Sequence, residues 1–236
     1  MTSLFLKRSA AAVLNHQPFQ PQPMYYLHGF CQSGNTFKVA FLLRALNQPW
    51  EARFVDFMHG ATRTGEWRHD FNEMGEAPVL DDGERRLTQS GVILHYLADK
   101  HGAFGGQTPD ERLEVLRWIL FDNHKFTSYF ATYRFMKAFG PSAPDPAVMN
   151  WLRGRLDAAF GIVDKHLAGR DYMVGTQPTI ADISLAGYLF YPSTESGYEI
   201  DGRFDNIAAW RERLRRIPGW GDPYELLPGE YIAPKW

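Results

Sequence analysis

The sequence holds 236 residues, 44% of them apolar and 22% charged, with 25 basic against 27 acidic side chains for a formal charge of −2. Such a chain can bury a real core in one large or two modest domains, and its near-neutral balance gives no electrostatic ground for nucleic acid or an anionic membrane as partner. A single cysteine, Cys31, rules out an internal disulfide and any Cys-x-x-Cys dithiol chemistry, and it fits a reducing compartment.

Residues 1–23 stand apart. Lys7 and Arg8 precede a short apolar run at 10–14, and Pro18, Pro21 and Pro23 then alternate with glutamines and a phenylalanine. The expectation is a flexible N-terminal extension or an over-long start; the apolar run is short for a signal-peptide core, though a targeting peptide stays open. No stretch reaches the roughly 18 apolar residues of a membrane span.

From Met24 the pattern becomes regular. Residues 24–28 form a short apolar and aromatic run closed by Gly29, which predicts a buried strand. Val39, Leu42, Leu43 and Leu46 predict a helix over 38–47, with Asn47 as a left-handed cap and Pro49 preventing continuation. A second strand is expected over 50–57, completing a βαβ unit whose crossover favours a parallel pair. Residues 60–76 are polar and irregular. Residues 77–80 and 85–87 flank Asp81-Asp82-Gly83, the pattern of an antiparallel hairpin with a tight turn. Ser90 then opens a helix with Val92, Ile93, Tyr96 and Leu97 on one face. After a Gly/Pro-containing connector at 102–109 only helices are expected: a long one over 110–138, another over 147–167, a buried apolar segment over 179–191, and a last helix over 204–217 ended by Pro218-Gly219.

Four fragments make this order specific. Tyr26-Leu27-His28-Gly29-Phe30-Cys31-Gln32-Ser33-Gly34-Asn35-Thr36-Phe37-Lys38-Val39 resembles the first strand, loop and helix of cytosolic glutathione transferases. Glu76-Ala77-Pro78-Val79-Leu80 is similar to that family's strand with a cis-proline, Gln89-Ser90 to its γ-glutamyl-binding pair, and Thr179-Ile180-Ala181-Asp182 to the cap of its buried C-terminal-domain helix. The resemblance runs in order from Met24 to Ile217. It implies an α/β thioredoxin-like, glutathione-binding domain at 24–101, an all-α helical domain at 109–220 and a tail at 221–236.

The residue types suit the implied chemistry. An X-Pro bond pays only about 0.5–1 kcal/mol for the cis form, and a cis turn at Pro78 would turn the backbone of Val79 toward an extended peptide; alone, the motif equally fits a trans proline opening an edge strand. Ser90, read as an N-cap, offers free peptide N–H groups and a hydroxyl to a carboxylate, while Gln89 offers an amide carbonyl to an ammonium. The family more often has Glu or Asp at that position, and a neutral acceptor holds an ammonium less strongly. A free thiol has a pKa near 8.5, and the thiolate is the nucleophile. The resemblance places Ser33 where serine-type members carry the thiolate-stabilising hydroxyl and Asn35 where some bacterial branches carry an assisting asparagine; Ser33-Gly34-Asn35 also reads as a plain turn and cap. Cys31 lies two residues before the position used by cysteine-type members and is expected to be a spectator. Tyr25 and Tyr26 fall inside the strand and are set aside. Thr179 and Asp182 have capping-box spacing, a folding role.

Phe126, Tyr129, Phe130, Tyr133 and Met136 form an aromatic stripe at helical spacing, which is core or dimer contact, or in part, with Phe30, Tyr129, Tyr133 and the aromatic tail, the wall of a second-substrate pocket. Arg134 sits beside it, and the run 211–216 reads as a solvated face. No metal-ligand spacing is present among the eight histidines. The expected function is a glutathione transferase: glutathione as co-substrate, no metal, a small hydrophobic electrophile, a homodimer, no nucleic acid or membrane partner, and a cytoplasmic, detoxifying role. A glutathione-dependent disulfide or peroxide reductase and a non-catalytic interaction module of the same fold remain the alternatives.

Overall fold

In Tyr25–Gly29 (β1) burial alternates with the two-residue period of a strand, so Tyr25 and Leu27 enter the core while Tyr26 and His28 face outward. A computed structural model describes residues 24–83 and 85–236; the extension expected over 1–23 lies outside the described residues. β1 pairs in parallel with Trp50–Phe54 (β2), Leu27 opposite Ala52. β2 is shorter than expected because the chain turns at once, the Phe57 N–H bonding the Val55 carbonyl.

Between them runs Gly34–Ala45 (α1). It starts four residues before the expected beginning at 38, because the Ser33 side chain accepts a bond from the Thr36 N–H and caps the first turn. At its far end Asn47 takes the expected left-handed conformation (φ 51°), and the Gln48 N–H closes onto the Leu43 carbonyl.

The irregular stretch holds a short helix, Gly65–Asp70 (α2), capped by Thr64 and too brief to show periodicity. Val79–Asp81 (β3) and Arg86–Thr88 (β4) form the expected hairpin, with a wider turn in which Asp82 and Arg85 bond each other. β3 is a central strand: the sheet order is β2-β1-β3-β4, with Leu80 opposite Leu27 on one side and Leu87 on the other. Period-two alternation then divides neighbours between faces. Leu80 enters the main core, whereas Val79 packs with Val55 and Trp67 in a small second core with Phe71 of the α2 region. Ser90–His101 (α3) packs beside α1 and ends at left-handed Gly102.

The expected long helix over 110–138 is two helices, Pro109–Phe121 (α4) and Thr127–Ala138 (α5), joined by a π-helical turn at Asp122–Phe126. Buried Asp122 is the reason: it accepts bonds from Lys38 Nζ (2.7 Å), Ser184 Oγ (2.6 Å) and Thr127 Oγ1 (2.5 Å). Pro146–Leu167 (α6) follows, capped by Asp145. The apolar segment is Ile180–Leu185 (α7) and a 3-10 turn at Ala186–Tyr188, followed by Ser193–Ser196 (α8), Asp205–Arg215 (α9) and Pro223–Leu226 (α10). Arg215 of the basic run lies over the rings of Phe190 and Trp220 and Arg213 bonds two carbonyls near the end of α6, so that face is only partly solvated. No helix among the described residues is long and apolar enough to cross a membrane.

Asp182 organises the helical half. Fully buried, it accepts the N–H groups of Met173 and Thr179, the Thr179 hydroxyl and the Trp210 indole, so one carboxylate closes the capping box of α7 and ties the loop before it to α9. Asp182→Ala removes the cap and orphans several buried donors at once. The expected loss is roughly 3 kcal/mol or more, read as a lower urea midpoint at neutral pH; a loss no larger than that of an exposed cap would contradict the central placement.

Candidate functional site

The N-terminal ends of α1 and α3 open onto one cleft of about 500 Å³, bounded by the loops at 30–33, 57–58 and 76–78 and walled by the π-turn and α5. Ser33, Asn35, Pro78, Gln89, Ser90 and Phe30 all line it, so six expected site residues, drawn from three separate sequence motifs, converge. Ser33 is almost fully buried; its oxygen accepts the Thr36 N–H at 3.1 Å, which leaves its O–H proton free to donate. Ser90 Oγ lies 3.4 Å from Asn35 Oδ1, linking the two helix ends. Gly34 permits this approach: a Cβ there would meet the Gly187 carbonyl and the Tyr188 ring at 2.5 Å. No acidic side chain occupies the first turn of either helix, so both dipole ends face the cleft uncancelled from within their own helices.

The bond between Ala77 and Pro78 is cis. The part foreseen for Val79 does not survive the sheet register. Val79 is fully buried, paired to both His28 and Thr88, and does not line the cleft; Ala77, just before β3, does. Nor is Ser90 the cap itself. Gln89 occupies that position with φ 65°, and Ser90 is the first helical residue. Gln89 Nε2 donates to Glu76 Oε2 at 2.7 Å, leaving the Gln89 carbonyl and the Glu76 carboxylate as adjacent acceptors at the cleft edge. Glu76 sits in the motif that the sequence displays, but the pairing with Gln89 spans thirteen residues and leaves no local spacing signal.

Tyr129 and Tyr133 are not in the pocket. Their rings pack edge-on against Trp151 and Tyr198, and Phe126 and Phe130 pack on Phe160, so Phe126, Phe130 and Tyr133 are core while half-buried Tyr129 lies at its edge beside exposed Trp151. The opposite face of α5 looks into the cleft and carries Thr127, Ser128, Ala131, Thr132 and Phe135, continued by Asn123 of the π-turn. Hydroxyls therefore share the cleft with aromatic rings, Phe135 on this face and Phe30, Phe57, Phe139 and Tyr188 around it. Phe30 does line the cleft, stacked on Phe57 at 4.8 Å; that pair also forms part of a neighbouring cavity of about 540 Å³ between residues 54–59 and the tail at 228–232.

Two further residues reach the site from far along the chain. Arg134 lines the cleft while its guanidinium is buried against Glu195. Tyr188 lies over the start of α1, where its hydroxyl meets the peptide N–H groups of Gly34 and Asn35; burial pushes its ionisation up, against the pull of Arg134 and those N–H groups, so it remains a phenol at neutral pH. In the sequence Tyr188 is one more residue of an apolar segment, and nothing in its surroundings marks it. Among the described residues no group of three or more His, Cys, Asp or Glu could hold a metal ion.

The family description "Glutathione S-transferase, N-terminal domain" matches residues 23–99 and "Glutathione S-transferase, C-terminal domain" matches residues 146–213. A solved glutathione S-transferase from Pseudomonas fluorescens is 30% identical, with 84% of this chain and 98% of that one aligned at a TM-score of 0.76. A possible glutathione S-transferase from Rhodopseudomonas palustris is 29% identical over 89% of this chain and 93% of its own, at a TM-score of 0.78. Among curated proteins, glutathione S-transferase verG of Clonostachys rogersoniana is 27% identical over 94% of both chains.

Cys31 lies in the loop beside the cleft but not in it. Its thiol is fully buried, with Sγ 3.8 Å from the Glu230 carbonyl, and burial pushes its ionisation up against the pull of nearby peptide N–H groups and Arg134. Such a thiol is inert. Native protein is expected to leave an aromatic disulfide reagent unreacted over the time in which denatured protein releases one equivalent; rapid native reaction would show Cys31 to be an exposed thiolate.

Proposed function

The chain belongs to the glutathione S-transferase family, and from that premise we propose that it activates the thiol of glutathione at Ser33 for attack on a small electrophile. The observation that carries this is the convergence of Ser33, Asn35, Ala77, Pro78, Gln89 and Ser90 around one cleft. In this reading the γ-glutamyl carboxylate sits at the N-terminus of α3 on Ser90, and its ammonium lies between the Gln89 carbonyl and the Glu76 carboxylate, which supplies the charge that Gln89 lacks. The cysteinyl backbone runs past Ala77. Its sulfur then meets the Ser33 hydroxyl at the positive end of α1, with Asn35 assisting between the two helices.

The thiol gives its proton to solvent, the sulfur forms a bond to the electrophilic carbon, and the leaving group departs with the electrons of the bond that breaks. Lowering a thiol pKa from about 8.5 to below 7 takes roughly 2 kcal/mol, within reach of one charge-assisted hydrogen bond plus a helix terminus.

A second reading, exchange of glutathione with disulfides, is favoured by Asn123 and Ser128 along the facing wall. A hydroxyl and an amide suit a hydrogen-bonding second substrate better than an aryl one. Comparing turnover of hydroxyethyl disulfide with that of an aryl halide divides the two chemistries. An interaction module that kept only the fold would show no stabilisation by millimolar glutathione in a thermal shift assay, and that result would remove both enzyme readings. Ser33→Ala is expected to lower kcat by about tenfold to a thousandfold with little change in glutathione affinity; equal losses in both would make Ser33 a binding residue alone.

The proposal extends to a homodimer in the cytoplasm with a detoxifying role. Leu113, Leu116 and Leu120 lie along one side of α4 and, with Val92 of α3, are exposed large apolar side chains that a second copy would cover. Light scattering after size exclusion should give twice the chain mass, and Leu116→Asp should shift it toward the monomer. A monomeric wild type would refute the dimer.

A further inference from the structure

The three residues before α1 are held by the other half of the molecule. The Tyr191 hydroxyl donates to the Cys31 carbonyl at 2.7 Å, Arg134 Nη1 donates to the Gln32 carbonyl at 2.7 Å, and the Cys31 N–H donates to the Pro228 carbonyl at 2.8 Å. Gln32 Nε2 reaches the Glu230 carbonyl at 2.6 Å. Arg134 is itself fixed on every side. Its Nε bonds Glu195 Oε2 at 2.6 Å, its Nη2 bonds the Tyr224 hydroxyl at 3.1 Å, its plane lies 4.0 Å from the Tyr191 ring centre, and Tyr224 in turn donates to Glu195 Oε1 at 2.7 Å.

Arg134 and Glu195 are 3% and 0% exposed. Burying such a pair costs several kcal/mol of desolvation, and well-packed apolar side chains often stabilise as much, so fold stability alone is a poor reason for it. What apolar residues cannot do is hold the Gln32 carbonyl. That carbonyl and the Ser33 N–H belong to one planar peptide unit. Arg134 holds one edge and the Phe30 carbonyl holds the other, accepting the Ser33 N–H at 3.0 Å. With that plane fixed on one side of the Ser33 Cα and the first turn of α1 on the other, the Ser33 backbone is held, and the Thr36 N–H bond then orients its side chain.

We propose that Arg134, oriented by Glu195, is a positioning residue that sets the Ser33 hydroxyl on the glutathione sulfur by holding the Gln32 carbonyl. This rests on the reading of Ser33 as the thiol-activating group. Arginine is required because one guanidinium fork serves a carboxylate and a carbonyl at once, whereas an ammonium is a single compact charge on a flexible stem.

The test is a four-protein cycle of wild type, Arg134→Lys, Ser33→Ala and the double variant, assayed with glutathione and an aryl halide or hydroxyethyl disulfide, whichever wild type turns over. Arg134→Lys is expected to lower kcat about tenfold to a hundredfold, the range for a small misplacement of a reacting group. Glutathione affinity should stay near wild type, and the acid limb of the pH profile of kcat/KM should move to higher pH. In the Ser33→Ala background the same replacement should change nothing further. An Arg134→Lys protein with wild-type kcat and pH profile, or one that loses the same factor with and without Ser33, overturns the proposal. Where Arg134→Lys does not fold, Tyr191→Phe removes only the hydroxyl on the neighbouring Cys31 carbonyl and should give a smaller loss in the same direction, again dependent on Ser33; a loss independent of Ser33 overturns the proposal equally. Wild type that glutathione fails to stabilise sinks the Ser33 reading itself, a result distinct from a stabilised wild type indifferent to Arg134.

Discussion

The buried ion pair between Lys38 and Asp122 is the constraint from which the cleft follows. Neither side chain has any exposed surface. Charges out of water are tolerated only when paired and fully hydrogen-bonded, and Asp122 meets that condition by accepting from Lys38, Ser184 and Thr127 together. Lys38 belongs to α1, Ser184 to α7, and Asp122 opens the π-turn between α4 and α5. One carboxylate therefore fixes the sheet-bearing half against two elements of the helical half. A π-turn admits an extra residue into the helical path, and Asn123 within it and Thr127 and Ser128 after it face the cleft, while Phe126 and Phe130 face the core. The same anchor sets α1 in place, and with it Ser33 at the helix start.

The electrostatics of the cleft are biased to one sign at the proposed sulfur and to the other at the proposed ammonium. Near Ser33 lie the positive end of α1 and its first-turn N–H groups, the guanidinium of Arg134 being balanced by Glu195. At the rim Glu76 and Gln89 present acceptors. A zwitterionic peptide bearing a thiol has the complementary order of charges: a carboxylate for the start of α3, an ammonium for the rim, and a sulfur that becomes an anion. No single contact here is strong. A helix terminus contributes about 0.3–1 kcal/mol when exposed, and a hydrogen bond to a charged group about 1.5–3. Their sum matches what a thiol needs to ionise near neutrality, so the site requires geometry more than it requires any unusual group.

What the sequence disclosed follows the range of the interactions concerned. Ser33, Pro78 and Gln89-Ser90 act through their own backbone neighbourhoods, and local pattern placed all of them at the cleft. The capping box of Thr179 and Asp182 was readable for the same reason. Val79 was misassigned because its two neighbouring strands, known only from the sheet order, consume its backbone. Tyr129 and Tyr133 were misassigned because helical spacing identifies a face without saying what that face meets. The uninterrupted helix over 110–138 failed because Asp122, unremarkable in sequence, has its decisive partner eighty-four residues away. Arg134 was noticed, yet its partners Gln32, Glu195 and Tyr224 come from three separate elements and no spacing relates them.

The loop at 31–33 belongs by sequence to the thioredoxin-like half, but of its hydrogen bonds only the Ser33 N–H to Phe30 and the capping bonds of α1 stay within that half. The others run to Tyr191, Arg134 and the tail carbonyls of Pro228 and Glu230. A fold of this kind could keep its sheet and its Gln89-Ser90 corner while the Ser33 hydroxyl drifted, if the helical half packed differently. In the proposed reading, binding of a glutamyl group and activation of a thiol are served by different parts of the chain. The first rests on the start of α3 and the hairpin before it. The second rests on the contact between halves, where a misfit of a fraction of an ångström moves the hydroxyl and leaves the peptide seat intact.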